Sequence, residues 1–118
     1  MPKLYSNPWK NKIGLKSKLQ YTIRTQFYKW LLRKYCKGCK TVLDVACGPG
    51  HFMKTAKEMG YEAFGLEADE RYKGENVIIQ DLWDHKGKYD VVFNSFIMEH
   101  VEDQQKFADK MASMSNDI

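Results

Sequence analysis

The first forty residues contain no aspartate or glutamate, although eleven lysines and arginines lie among them. All fifteen acids fall after residue 40, where eight basic residues accompany them and the charge sums to −7. The total of +4 therefore conceals a basic arm on an acidic body. Such an arm reads as intramolecular attraction, or as a surface for nucleic acid, an acidic substrate or an anionic membrane. Long apolar runs are also lacking. No stretch reaches the roughly 18 apolar residues of a membrane span, and the N-terminus carries no apolar signal-peptide core. Cysteine is limited to three, an odd count that argues against a secreted disulfide scaffold. These absences predict a cytoplasmic protein. There is no internal repeat and no low-complexity segment. What is present, 43% hydrophobic and 29% charged residues in 118, suits one globular domain with a modest core.

Residues 1–40 form the basic N-terminal unit. Pro2, Pro8 and Gly14 interrupt residues 1–16, which read as an irregular arm whose Tyr5 and Trp9 can cover a pocket or pack on the body. Residues 17–37 read as a helix. Ser17 can cap it, with Gln20 as the capping-box partner, and Gly38 is a suitable stop. Leu19, Ile23, Phe27, Trp30 and Leu31 recur at helical spacing and form one apolar stripe. The stripe reads as core packing, with a membrane-surface helix as the alternative.

From residue 41 to 118 strands and helices alternate. Strands are expected at 41–46, 63–67, 76–80 and 89–96, and helices at 51–59 and 104–114. This alternation implies an α/β parallel sheet with ligands at the carboxyl ends of its strands. Asn76 lies nine residues after Glu67, whereas a parallel crossover usually takes about a dozen or more. The helix there must shrink to roughly one turn, near 70–73. Residues 117–118 read as the start of another strand.

The stretch LDVACGPGHF at 43–52 places an acid, Asp44, at the end of a buried strand and follows it with Gly48 and Gly50. Burying a carboxylate is costly unless something pairs with it. Either backbone donors satisfy Asp44, or it awaits a ligand. Glycine lets the backbone approach a ligand closely, and the helix start offers N–H groups to an anion. A dinucleotide fingerprint would have a third glycine where Met53 stands, and no acid in the strand end, so NAD is disfavoured. The other strand ends extend the pattern. Glu67 follows strand two and could accept from both hydroxyls of a ribose. Asp81 follows strand three and could accept from an exocyclic amine. Asn94 and Ser95 follow strand four. Any one such acid is ordinarily a cap or loop residue; their succession defines one polar rim.

LDVACGPGHF, GLEAD, QDLWD and YDVVFNSFIMEHVED resemble, in this order, the motifs of class I S-adenosylmethionine-dependent methyltransferases, over roughly residues 41–112. The resemblance implies a Rossmann-like three-layer α/β sandwich with strand order 3-2-1-4, lacking strands five to seven of the family's 3-2-1-4-5-7-6 sheet. It implies S-adenosylmethionine as cofactor. Asp44 and the turn of Ala46, Cys47, Gly48 and Gly50 would then lie against the methionine part. Glu67 would hold the ribose hydroxyls, Asp81 and the Leu82 backbone would meet the adenine, and the Asn94 backbone would sit beside the sulfonium. A cofactor with an ammonium and a sulfonium also gives the carboxylate of Asp44 a reason. Three departures stand out: Ala46 where a glycine is commonest, Glu67 where Asp is more usual, and the shortened helix. With only four strands, the fourth becomes an exposed apolar edge, which implies a fragment of a longer protein or a partner chain covering that edge.

Methyl transfer from a sulfonium is an in-line displacement that positioning alone can accelerate. No base is required; His100, just past strand four, is the candidate, with packing in the EHVED turn as the alternative. His51 reads as structural, and His85 sits in a polar loop without an evident role. Cys36, Cys39, Cys47 and His51 match a four-ligand zinc inventory. The extended strand between the two pairs separates them by roughly 20 Å, so no metal is expected. A redox role for the C-x-x-C stays open, and Cys47 reads as a small turn residue. Three functions follow: a methyltransferase for a small-molecule acceptor, lidded by the basic helix and arm; an RNA or protein methyltransferase docking through that arm; or an inactive cofactor-binding or interaction module. NSFI at 94–97 does not resemble the NPPY-type motif of base-amine methylation, which weighs against nucleic-acid amines.

Overall fold

The structure is a computed structural model that describes residues 15–95 and 102–116. Tyr5, Trp9, Phe96, His100 and residues 117–118 lie outside the described residues. Helix α1 (Leu15–Tyr35) is followed by strand β1 (Thr41–Val45), helix α2 (His51–Glu58), strand β2 (Glu62–Glu67), strand β3 (Val77–Ile79), strand β4 (Val91–Asn94) and helix α3 (Gln104–Ser113). The strands form one parallel sheet in the order β3-β2-β1-β4. The connection from β2 to β3 shrinks to the three-residue 3-10 turn Glu70–Tyr72, as its length requires.

Helices on both faces explain the continuous apolar strands. On one face Val42 and Ala63 pack with Phe52, Met53 and Ala56 of α2, with Tyr28 and Leu32 of α1, and with Cys36 just past its end. On the other, Leu43, Val45 and Leu66 pack against Phe107 and Met114. Helix α3 owes its position to those two anchors and to Asp103, whose carboxylate accepts from the Lys106 N–H at 3.0 Å.

Apart from half-buried Leu31, the apolar stripe expected to face the core does not. Leu19 is 58% exposed, Ile23 59%, Phe27 51% and Trp30 49%. The packed line is Tyr28, Leu32 and Cys36, on roughly the opposite side of the helix. Helical period identifies stripes without deciding which one docks. Here Tyr28 meets Phe52 and Phe93 edge-on, and those two rings stack at 3.9 Å. Helix α1 also begins at Leu15, so Ser17 lies within its first turn rather than at the cap.

The chain just ahead of β4 is met by residues 114–116. Tyr89 forms a parallel bridge with Ser115, its N–H donating to Met114 O at 2.8 Å and its carbonyl accepting from Asn116 N at 2.7 Å. Among the described residues nothing pairs along the outer edge of β4 itself. His85, expected in a polar loop, is buried. Its Nδ1–H donates to the Gln80 Oε1 at 2.9 Å, so its Nε2 accepts from the Tyr89 hydroxyl at 2.8 Å. Among the described residues no helix is long and apolar enough to cross a membrane.

Gly65 pairs with Asp44 in the sheet. A Cβ there would stand 2.5 Å from both the Cys47 and the Met53 sulfurs. Met53 has a flexible tip, but Cys47 is held one bond from a fixed turn. Gly65→Ala is expected to cost ~1–3 kcal/mol of stability, measured by urea unfolding; an unchanged midpoint would contradict the packing.

Candidate functional site

The carboxyl ends of the four strands share one edge of the sheet, because all four run parallel. Asp44 is the fourth residue of β1 and faces the side covered by α1 and α2, as Val42 does two residues earlier. It is 5% exposed. Among the described residues, no hydrogen-bond donor reaches its carboxylate, while no fully buried side-chain oxygen or nitrogen lacks a partner. Its oxygens therefore keep slight contact with solvent rather than being fully sealed. Burial, and then the charge of Glu67, pushes its pKa up to about 8. The carboxyl carries its proton at neutral pH.

Glu67 ends β2 and is 3% exposed. One carboxylate oxygen accepts from the Gly48 N–H at 3.1 Å and the other from the Asp69 N–H at 2.9 Å. This acid thus ties the glycine turn to the β2 tip. The turn leaves β1 through Ala46, whose φ of 59° lies in the left-handed region where a Cβ is unfavourable. That conformation lets the Ala46 and Cys47 N–H groups both approach Leu66 O, at 2.7 and 3.4 Å. It explains why a glycine would be expected at this position. Gly48 and Gly50 also have positive φ, 53° and 88°. Cys47 is buried; burial, Asp44 and Glu67 push its thiol up to about 12, so it is neither a nucleophile nor a ready ligand.

Asn94 pairs with Val45 in the sheet and donates from its side chain to the Val45 carbonyl at 3.3 Å, joining the β4 and β1 tips. Asp81 lies just beyond β3, where its carboxylate accepts from Trp83 N at 2.9 Å and caps the turn Leu82–Asp84. Asp44, Glu67 and the Ala46–Gly50 turn are brought into one cluster. Asp81, with Leu82, stands two strands away on the same rim, and no described contact joins it to that cluster. His100 lies outside the described residues. Among the described residues no group of three or more His, Cys, Asp or Glu side chains could hold a metal.

Sequence reasoning missed the way α1 closes on this turn. Tyr21 stacks on the His51 ring at 3.8 Å. The Thr25 hydroxyl donates to Tyr21 O at 2.9 Å, so its oxygen accepts from His51 Nε2–H at 2.7 Å. Burial, then Arg24 and Lys54, hold the imidazole pKa below its ordinary value. Tyr28 bonds to the Ser95 side chain and lies near Asp44. The signal was available: Tyr21, Thr25, Tyr28 and Leu32 form a second, polar-aromatic line at helical spacing.

With that geometry described, the comparisons identify the family. The methyltransferase domain family matches residues 16–117, and the chain belongs to it. No curated protein matches. Among solved structures, the chain is similar to the magnesium protoporphyrin IX methyltransferase of Synechocystis PCC 6803 with bound S-adenosylmethionine: 23% identity over 82% of this chain and 55% of that one, TM-score 0.67. It is similar to a sugar N-methyltransferase of Streptoalloteichus, 22% identical over 80% of this chain and 42% of that one, TM-score 0.62. An S-adenosylmethionine-dependent methyltransferase of Archaeoglobus fulgidus is 27% identical over 86% of this chain and 53% of that one, TM-score 0.55. The chain spans about half the length of these structures.

Asp44 makes stability depend on pH. Its folded pKa lies above the unfolded value near 4, so its contribution is fully present below about pH 4 and is lost as pH rises towards 8. Asp44→Asn is expected to gain on the wild type by on the order of 4–5 kcal/mol between pH 4 and pH 8. Thermal unfolding at both pH values measures this; a constant difference would show that Asp44 is ionised throughout.

Proposed function

We infer that this chain is the cofactor-binding part of an S-adenosylmethionine-dependent methyltransferase whose acceptor is a small molecule. The carrying observation is Asp44: a buried carboxyl with no described donor, at the strand end that runs into a glycine turn. A cation fits such a site, because it supplies the partner that the fold omits. S-adenosylmethionine, when bound, supplies an activated methyl on a cationic sulfur.

Each residue then has a role its setting suits. Asp44 faces the cationic methionine part, directly or through water. Ala46, Cys47, Gly48 and Gly50 bring backbone close to it. Glu67 keeps lone pairs beyond those used by Gly48 and Asp69, enough to accept from ribose hydroxyls. Asp81 and the Leu82 backbone meet the adenine, and the Asn94 backbone lies beside the sulfonium. Three strand spacings of about 4.8 Å make this rim on the order of 14 Å long, suited to a nucleoside with an amino-acid tail. Helix α1, docked on His51, covers one side, excludes water and helps to select the acceptor. The basic unit 1–40 is thus the cap and residues 41–118 the cofactor-binding body. The names of the porphyrin and sugar methyltransferases it resembles support a small acceptor. Free Cys36, Cys39 and Cys47 suit a reducing, cytoplasmic setting.

Titration calorimetry with S-adenosylmethionine and S-adenosylhomocysteine tests this reading. Both are expected to bind, and Glu67→Ala to weaken both by about tenfold or more, because charged hydrogen bonds contribute ~1.5–3 kcal/mol. Circular dichroism of the variant separates lost contact from lost fold. A folded wild type that binds neither compound would overturn the proposal.

A further inference from the structure

The shortened β2–β3 connection has a second effect. In a βαβ unit the crossover helix covers the sheet face beside its neighbour. Here a three-residue turn, Glu70–Tyr72, replaces it. The flank of α2 over β2 and β3 is left open, and a cavity of about 480 Å³ occupies the space. That volume is within the usual range for small-molecule sites. Asp44, Glu67, Asp81 and Asn94 do not line it, although Gly48, Pro49 and Gly50 of the turn do.

The lining is strongly cationic. Lys54 and Lys57 come from α2, and Arg71 and Lys73 from the facing loop, against a single acid, Glu75. Glu75 pairs with Lys57 at 3.5 Å, and Arg71 is held by Asp69 at 2.6 Å. Lys54 and Lys73 form no ion pair among the described residues, so positive charge remains on both walls. The floor is apolar, formed by Met53, Ala63 and Val77, with Tyr72 at the side. This part of the sequence belongs to the acidic body, so a concentrated cationic lining there runs against the average charge.

We propose that this cavity is a second binding site, separate from the cofactor rim, for a phosphorylated small molecule with a compact apolar body, such as a nucleoside diphosphate. Lysines on facing walls act as point charges for a diphosphate that bridges them. The apolar floor and Tyr72 take the base. Because Gly48 and Gly50 border both sites, occupancy of one changes affinity at the other, reciprocally.

Equilibrium titration of the chain with pyrophosphate and with ADP, with and without saturating S-adenosylmethionine, tests the site. Both probes are expected to bind, ADP more tightly, and both with and without the cofactor. Lys54→Glu with Lys73→Glu is expected to weaken ADP by roughly tenfold or more, with S-adenosylmethionine binding retained. Absence of ADP binding in a chain that still binds S-adenosylmethionine would overturn this site and leave the methyltransferase reading intact. Simple competition between ADP and the cofactor would make the cavity part of the rim and equally overturn it. So would an oligoribonucleotide that binds more tightly than ADP, because the lysines would then serve a nucleic-acid backbone.

Discussion

A carboxyl inside the sheet, at Asp44, sets the terms for everything around it. The fold accepts a buried acid that no described donor satisfies and keeps it protonated near neutral pH, at a pKa of about 8. A purely structural position would be more stable with an apolar residue. The neighbouring architecture makes sense as accommodation of this group. Glu67 bonds to the turn above it, Gly65 pairs with it in the sheet, and Tyr28 of α1 lies near enough to feel its charge.

The glycine turn depends on the same arrangement. Its path requires three residues in the left-handed region, Ala46, Gly48 and Gly50. Two of them are glycines and accept it freely; Ala46 bears strain. Two N–H groups directed at Leu66 O and one at Glu67 hold the turn against β2. The sulfurs of Cys47 and Met53 fill the notch above Gly65. Packing, backbone conformation and charge thus converge on a few residues, and a change at any of them disturbs the others.

Much of this was legible in the sequence. The continuous apolar strands, the glycines and the polar residues at the strand ends implied a parallel sheet with one rim, because parallel strands deliver their carboxyl ends to one edge. The strand order came from the resemblance of the motifs to class I methyltransferases. The shortened crossover followed from chain length alone. Other features depended on tertiary choice. Helix α1 has two stripes, and the more hydrophobic one, Leu19, Ile23, Phe27 and Trp30, lost the core to Tyr28 and Leu32, whose neighbours on α2 and β4 offered matching rings. His85 gave no local signal, since its partners Gln80 and Tyr89 meet it only once the chain turns between β3 and β4. The double use of Glu67 by Gly48 and Asp69 was equally invisible, because backbone donors leave no mark on residue identity.

Helix α1 connects these elements to the outside. It touches the start of α2, just after the glycine turn, through Tyr21 and Thr25 on His51, and the β4 tip through Tyr28 and Ser95. Near the last of these contacts lies Asp44, whose charge state decides the account. Calorimetry of S-adenosylmethionine binding at pH 7, in buffers of different ionisation enthalpy, measures it directly. A cation that pairs with Asp44 must expel its proton, so about one proton should be released per cofactor bound, and Asp44→Asn should abolish that release. Equal proton release by the wild type and the variant would contradict the account.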